Sequence, residues 1–246
     1  VMKRAELWRS ALNSPQDYLA PYYNFREFFL GVMLASLAGA TGAAAWLYSS
    51  GWYVTFMTGN TERMVLEPIR GGTEAGLAAF SAVVVFVIGA LTATLARIYL
   101  WSQARHGAMV VATGAIIGAF VSDLWLGTQY DELSPIPILF LAFGLGALNT
   151  SISRRGQVVM PLSYVTGTLV KIGQGIALHL AGKQKWMWFP QLATYLGFLV
   201  GAAGGGMAFY SHGVDDALFL LTLGALVMTG ITWRVDHPGF LREDGH

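Results

Sequence analysis

Six stretches of the chain, at about 28–48, 75–98, 107–126, 134–152, 188–210 and 215–233, are predominantly apolar. A helix needs about 20 predominantly apolar residues to cross the hydrocarbon core of a bilayer, and each stretch comes close to that length. Two further segments, 52–70 and 157–182, break the pattern. The first carries Glu62, Arg63, Glu67 and Arg70, too much charge for a helix that faces lipid. The second carries Lys171, Gln174 and His179.

These two segments repeat one another. Thr55-Phe56-Met57-Thr58-Gly59-Asn60, followed by Arg63, returns as Ser163-Tyr164-Val165-Thr166-Gly167-Thr168, followed by Lys171. Gly89-Ala90 matches Gly201-Ala202, and Gly114 matches Gly224. Each half therefore reads as span, motif segment, span, span. Three crossings per half would turn the second half upside down relative to the first. The expectation is an all-α integral membrane protein: six transmembrane helices as a 3+3 inverted repeat, with two re-entrant or broken motif segments meeting near the midplane. The divisions are 1–26, a cytoplasmic N-terminal segment; 27–130 and 131–233, the two three-helix repeats; and 234–246, a cytoplasmic tail.

Composition supports membrane residence. Hydrophobic residues make up 54% of the chain and charged residues 12%, with a mean hydropathy of +0.52. A soluble domain carries about twice that charge. If the motif segments do not cross, twelve of the fifteen Lys and Arg residues gather on one side, among them Arg97, Arg105, Arg154, Arg155, Lys183 and Lys185. The positive-inside rule makes that side cytoplasmic. The expected place is the bacterial inner membrane, multi-pass, with both termini inside. A net charge of +1 supplies no field to recruit nucleic acid. The absence of cysteine removes thiolate ligands. The five histidines lack metal-ligand spacing, so no metal and no cofactor is expected. Neither a catalytic triad nor paired intramembrane carboxylates are visible, so the chain is not expected to be an enzyme. Asp123, near the outer end of its span, is a candidate to pair with Arg63 or Lys171 or to carry a proton, but it lies close to Gly127 and reads first as a solvated helix end.

Met57-Thr58-Gly59-Asn60-Thr61 and Tyr164-Val165-Thr166-Gly167-Thr168-Leu169 resemble the two signature segments of the YoaK-like bacterial inner-membrane proteins, known mainly as a domain of unknown function. The similarity runs from about Asn24 to Trp233, with Glu62 as a departure from the first signature. It implies about six spans and supplies no substrate.

The motif residues suggest a chemistry of their own. Gly59 and Gly167 free the backbone from helical geometry, and Thr58, Asn60, Thr166 and Thr168 offer groups that cap opened backbone or bind a solute. A helix restarting after each glycine would point free N–H groups at the site, with Arg63 and Lys171 about one turn further on. That pattern favours a small anion or carboxylate. The structural alternative is that the polar groups cap two broken helices, while Arg63 snorkels and Lys171 meets a buried carbonyl.

The function expected first is a small-solute transporter or permease with a midplane site at Thr58, Gly59, Asn60, Arg63, Thr166, Gly167, Thr168 and Lys171. The alternative is a non-transporting scaffold, assembly factor or accessory subunit of a larger membrane complex. The expected partners are the lipid bilayer and a small-molecule solute. The glycine faces Gly114-x-x-x-Gly118 and Gly197-x-x-x-Gly201-x-x-x-Gly205 pack either within the bundle or against a second copy or another subunit.

Overall fold

Eight helices order the described residues: α1 (Phe25–Ser49), α2 (Met57–Ile69), α3 (Thr73–Tyr99), α4 (His106–Leu126), α5 (Ile136–Leu148), α6 (Val165–Leu180), α7 (Phe189–His212) and α8 (Val214–Val235). The structure is a computed structural model that describes residues 25–49, 51–101, 106–126, 134–154, 157–158, 162–183, 186 and 188–235. Most of the expected N-terminal segment and C-terminal tail, and the loop residues Arg105, Arg155 and Lys185, lie outside the described residues. A two-stranded antiparallel hairpin, Ser153–Arg154 with Gln157–Val158, follows α5.

Five of these helices, α1, α3, α4, α7 and α8, are long and apolar enough to cross a membrane. The sixth expected span is not. Over 134–152 the helix is confined to the 13 residues of α5. At about 1.5 Å per residue it is some 20 Å long, against a hydrocarbon core of about 30 Å. Pro135 and Pro137 fix its start, where a missing N–H does no harm, and the chain turns away at Asn149–Thr150. The six-span 3+3 inverted repeat is therefore corrected: the first half has three long helices and the second has two long helices and a short one. The inference of opposed halves rested on three full crossings each, and it lapses with the third.

Neither motif segment is one continuous helix. Gly51–Phe56 and Leu162–Tyr164 are non-helical, and α2 and α6 begin only at Met57 and Val165. Gly71, with φ of +88°, reverses the chain after α2 so that α2 packs along α3. Gly213, with φ of +86°, makes the tight turn from α7 to α8.

Close packing comes from glycine. A Cβ on Gly197, Gly201 or Gly205 of α7 would strike the backbone of Val32, Ser36 or Ala40 of α1. The partners rise together, so α1 and α7 run parallel with their backbones in contact. Gly39 of α1 meets Phe198 and Ala202 in the same way. An equivalent crossing joins α3 to α5: Gly89 meets Phe143, and Gly146 meets Phe86 and Ala90. The internal repeat is thus a crosswise correspondence of contacts. The short α5 sits at the centre, with Ile138, Leu141, Leu145 and Leu148 buried against α1, α3 and α4. Thr113 and Thr229, with hydroxyls 2.7 Å apart, tie α4 to α8. Outward faces carry large apolar side chains, such as Val87 and Leu91 on α3, Leu199 and Val200 on α7, and Phe219 and Leu226 on α8. Lipid is the solvent that suits such a surface.

The glycine contacts yield a paired test. Gly201→Ala, which drives a methyl into the Ser36 carbonyl, should lower thermal stability in detergent by about 1–3 kcal/mol. Gly224→Ala meets no atom within 4 Å and should leave stability unchanged or raise it by up to about 1 kcal/mol through helix propensity. Melting curves of the two variants against wild type check both.

Candidate functional site

The approach to α2 is pinned before the helix starts. The Ser49 hydroxyl at the end of α1 accepts the Trp52 N–H at 2.8 Å, and the Trp46 and Tyr53 rings lie 4.5 Å apart between centroids. Phe56 then precedes α2, and Tyr164 holds the equivalent place before α6. Neither helix has a side-chain cap at its start. The first i to i−4 bonds are made by the amides of Asn60 and Thr168, to the carbonyls of Phe56 and Tyr164. The amides of Thr58, Gly59, Thr166 and Gly167 lie ahead of them and have no intrahelical acceptor.

Gly59 and Gly167 have a different role from the one expected. They lie inside the first turn, two residues after each helix begins, and do not break it. A Cβ on Gly59 would run into the Phe56 ring, and one on Gly167 into the Tyr164 ring. Glycine is there so that the preceding aromatic ring can fold across the helix start.

Both helix starts open on one cavity of about 640 Å³. Thr55, Met57 and Thr58 line it from the first motif, and Ser163, Tyr164, Val165 and Thr166 from the second. Phe86, Ala90, Gly146 and Phe198 form its wall, so the cavity lies against the glycine crossings. Among the described residues no charged side chain lines it. The Thr61 and Thr168 hydroxyls bond back to the carbonyls of Met57 and Tyr164. Those of Thr58 and Thr166 face the cavity without such a bond.

Asn149, at the end of α5, secures the second motif. Its amide donates to the Leu145 carbonyl at 2.8 Å and to the Ser163 hydroxyl at 2.9 Å, and its oxygen accepts the Ser163 N–H at 3.0 Å. Asn60 does comparable work in the first motif: it is buried and donates to the Tyr53 carbonyl at 2.5 Å.

The eight residues singled out from the sequence therefore divide. Thr58 and Thr166 line the cavity, Gly59 and Gly167 support the rings at its edge, and Asn60 and Thr168 are spent on backbone carbonyls. Arg63 turns back to the lead-in, donating to the Gly51 carbonyl at 3.0 Å, with its Nε 3.8 Å from Glu67. Lys171 is exposed. Neither base lines the cavity, and the reason is helical phase. Each follows its threonine by five residues, about 140° round a helix of 3.6 residues per turn. Sequence reasoning did not select Thr55, Ser163 or Tyr164, although all three stand in the repeated hexapeptide. It also passed over Phe86 and Phe198, which have the same spacing as Gly89 and Gly201. Among the described residues no three His, Asp or Glu side chains form a metal-ligating group.

Comparison with known proteins takes in this whole arrangement. A family model described as "Protein of unknown function (DUF1275)" matches residues 30–231, from α1 to α8. A UPF0700 transmembrane protein of Rhizobium meliloti (strain 1021) is 30% identical over 203 residues, covering 82% of this chain and 84% of that protein. No solved structure matches the chain.

The ring-over-glycine contact can be measured as a coupling. Gly167→Ala should destabilise the protein, and Tyr164→Ala in the same chain should recover part of the loss, with an interaction energy of about 0.5–3 kcal/mol in a double-mutant cycle. Additive effects would show that the ring and the glycine act independently.

Proposed function

The chain belongs to the DUF1275 family of proteins of unknown function, and from that premise we propose that it is a permease for a small solute. The membership agrees with the resemblance carried by the paired Thr–Gly signatures. The protein is a bacterial multi-pass membrane protein. The proposed orientation puts both termini in the cytoplasm, following the Lys and Arg distribution.

One observation carries the reading: two uncapped helix starts, far apart in sequence, open on the same half-open cavity beside the glycine crossings. Each helix N-terminus acts as about half a positive charge, so the pair offers about one. Thr58 and Thr166 add hydroxyl donors, and among the described residues no carboxylate lines the space to oppose an anion. The arrangement suits a small monovalent anion, such as a carboxylate, whose apolar part rests on Phe86 and Phe198. Arg63 and Lys171 are not part of that site. A dianion would exceed the charge the helix ends supply, and a cation would meet the wrong pole.

The accessory-subunit reading has an observation of its own. An apolar groove of about 630 Å³ runs between α1, α7 and α8, and at its edge a Cβ added to Gly204 or Gly224 would meet no atom within 4 Å. A flux assay separates the two readings.

Proteoliposomes should take up radiolabelled acetate or lactate faster than protein-free vesicles. Thr58→Val and Thr166→Val should each weaken apparent affinity about tenfold, the equivalent of about 1.4 kcal/mol for one lost bond to a charged solute. Lys171→Ala should stay within about twofold of wild type. Uptake no faster than in empty vesicles across a panel of small monovalent anions would favour the accessory subunit.

A further inference from the structure

Asp123, weighed from the sequence as a proton carrier or, first, as a solvated helix end, is buried. It is in the last turn of α4, yet it is only 4% exposed, in a helix of spanning length. Tyr48, buried at the end of α1, donates its hydroxyl to Asp123 Oδ1 at 2.8 Å. Asp215, in the first turn of α8, comes within hydrogen-bonding reach of the same carboxyl group. Three helices thus meet at one acidic side chain. Among the described residues no basic side chain faces it, α5 carries no titratable group, and none of those on α3 reaches it. The expected exposure of Asp123 to solvent is absent, and a buried carboxyl and one at an exposed helix start are neighbours.

We propose that Asp123 is a proton-binding group, and that its protonation sets the tie between α1 and the α4–α8 pair. An ionised carboxylate taken from water needs a counter-charge or several donors, and here it has one phenol. Two neighbouring carboxylates repel when both are ionised, and one proton shared at the junction removes that repulsion. The step is the association of one proton with one carboxylate oxygen, and nothing else changes hands. With the proton bound, Asp123 bridges Tyr48 and Asp215. With it released, the two carboxylates repel, and Asp215, at the exposed start of α8, moves towards water.

The tie leads to the cavity through a short covalent path. Tyr48 is followed by Ser49, which holds Trp52, and then by Tyr53, whose carbonyl holds Asn60 and whose side chain lines the cavity. Displacement of Tyr48 is therefore passed to the start of α2. Passage of solute through the cavity becomes dependent on pH. This second half rests on the permease reading, whereas proton binding does not.

Infrared difference spectra recorded between acidic and alkaline pH test the proton site directly. A protonated-carboxyl band is expected in wild type and absent in Asp123→Asn. In Tyr48→Phe the band should move to higher frequency, because the carbonyl loses its hydrogen-bond donor. Persistence of the band in Asp123→Asn, or an unmoved band in Tyr48→Phe, would overturn the assignment. If Asp123→Asn does not fold, the Tyr48→Phe shift alone decides it. In proteoliposomes, after the uptake of protein-free vesicles at each pH is subtracted, the pH profile of acetate uptake should be flat in Asp123→Asn, and an unchanged profile there would overturn the coupling. Absence of uptake in wild type counts against the permease reading and leaves the infrared result to judge the proton site.

Discussion

A polypeptide in hydrocarbon has to satisfy its own backbone, and most of this structure follows from how that is done. Each lost N–H or C=O partner costs several kcal/mol away from water, so a helix can begin inside a bundle only beside protein or a wet space. Here two helices, α2 and α6, begin without side-chain caps, and both starts lie on the same cavity. The motif residues are a set of local answers to that requirement. Aromatic rings at Phe56 and Tyr164 cover the first turn, glycine makes room for them, and Asn60 and Thr168 occupy carbonyls nearby. What is left over is the pair of first-turn amides and the hydroxyls of Thr58 and Thr166. The candidate site consists of the groups that the backbone did not consume.

The long helices were legible because hydropathy reports burial in lipid with little ambiguity. The stretches 75–98, 107–126, 188–210 and 215–233 became Thr73–Tyr99, His106–Leu126, Phe189–His212 and Val214–Val235. Hydropathy does not report where an apolar run stops being helical. Residues 134–152 read as one apolar run of spanning length, and that reading conceals a helix of only 13 residues. The stops are local: two prolines at one end, and at the other an asparagine whose amide is committed to Ser163. Topology drawn from counting spans inherits that blind spot, which is why the clean six-span repeat did not survive.

The site was half legible for a related reason. A repeated hexapeptide pointed to Thr58 and Thr166, but which way a residue faces depends on where its helix begins. Placing the start after Gly59 instead of at Met57 made Arg63 a neighbour of the site, and the actual phase turns it towards Gly51 and Glu67. Asp123 was misjudged through lateral packing. Its distance from the helix end suggested water, whereas Tyr48 and Asp215, remote in sequence, close over it. Neighbours contributed by other helices leave no local trace in a single chain.

The glycine crossings also limit how the cavity can change shape. Where α7 meets α1 and where α5 meets α3, backbone touches backbone, and no flexible side chain lies between them to take up a slide. Packed interfaces of this kind behave as rigid pairs, because even a small displacement separates or collides main-chain atoms. The cavity wall draws Phe198 from one pair and Phe86, Ala90 and Gly146 from the other. Contact between the pairs, where α1 meets α5, is far less extensive than the contact within either of them. Opening the cavity to one side is therefore least costly as a movement of the α1–α7 pair against the α3–α5 pair. The lead-in at 51–56 leaves α1 and ends at α2, which packs on α3, so it bridges the two pairs and would bend first. A residue that fixes the end of α1, as Tyr48 does through Asp123, acts on that bridge at its root.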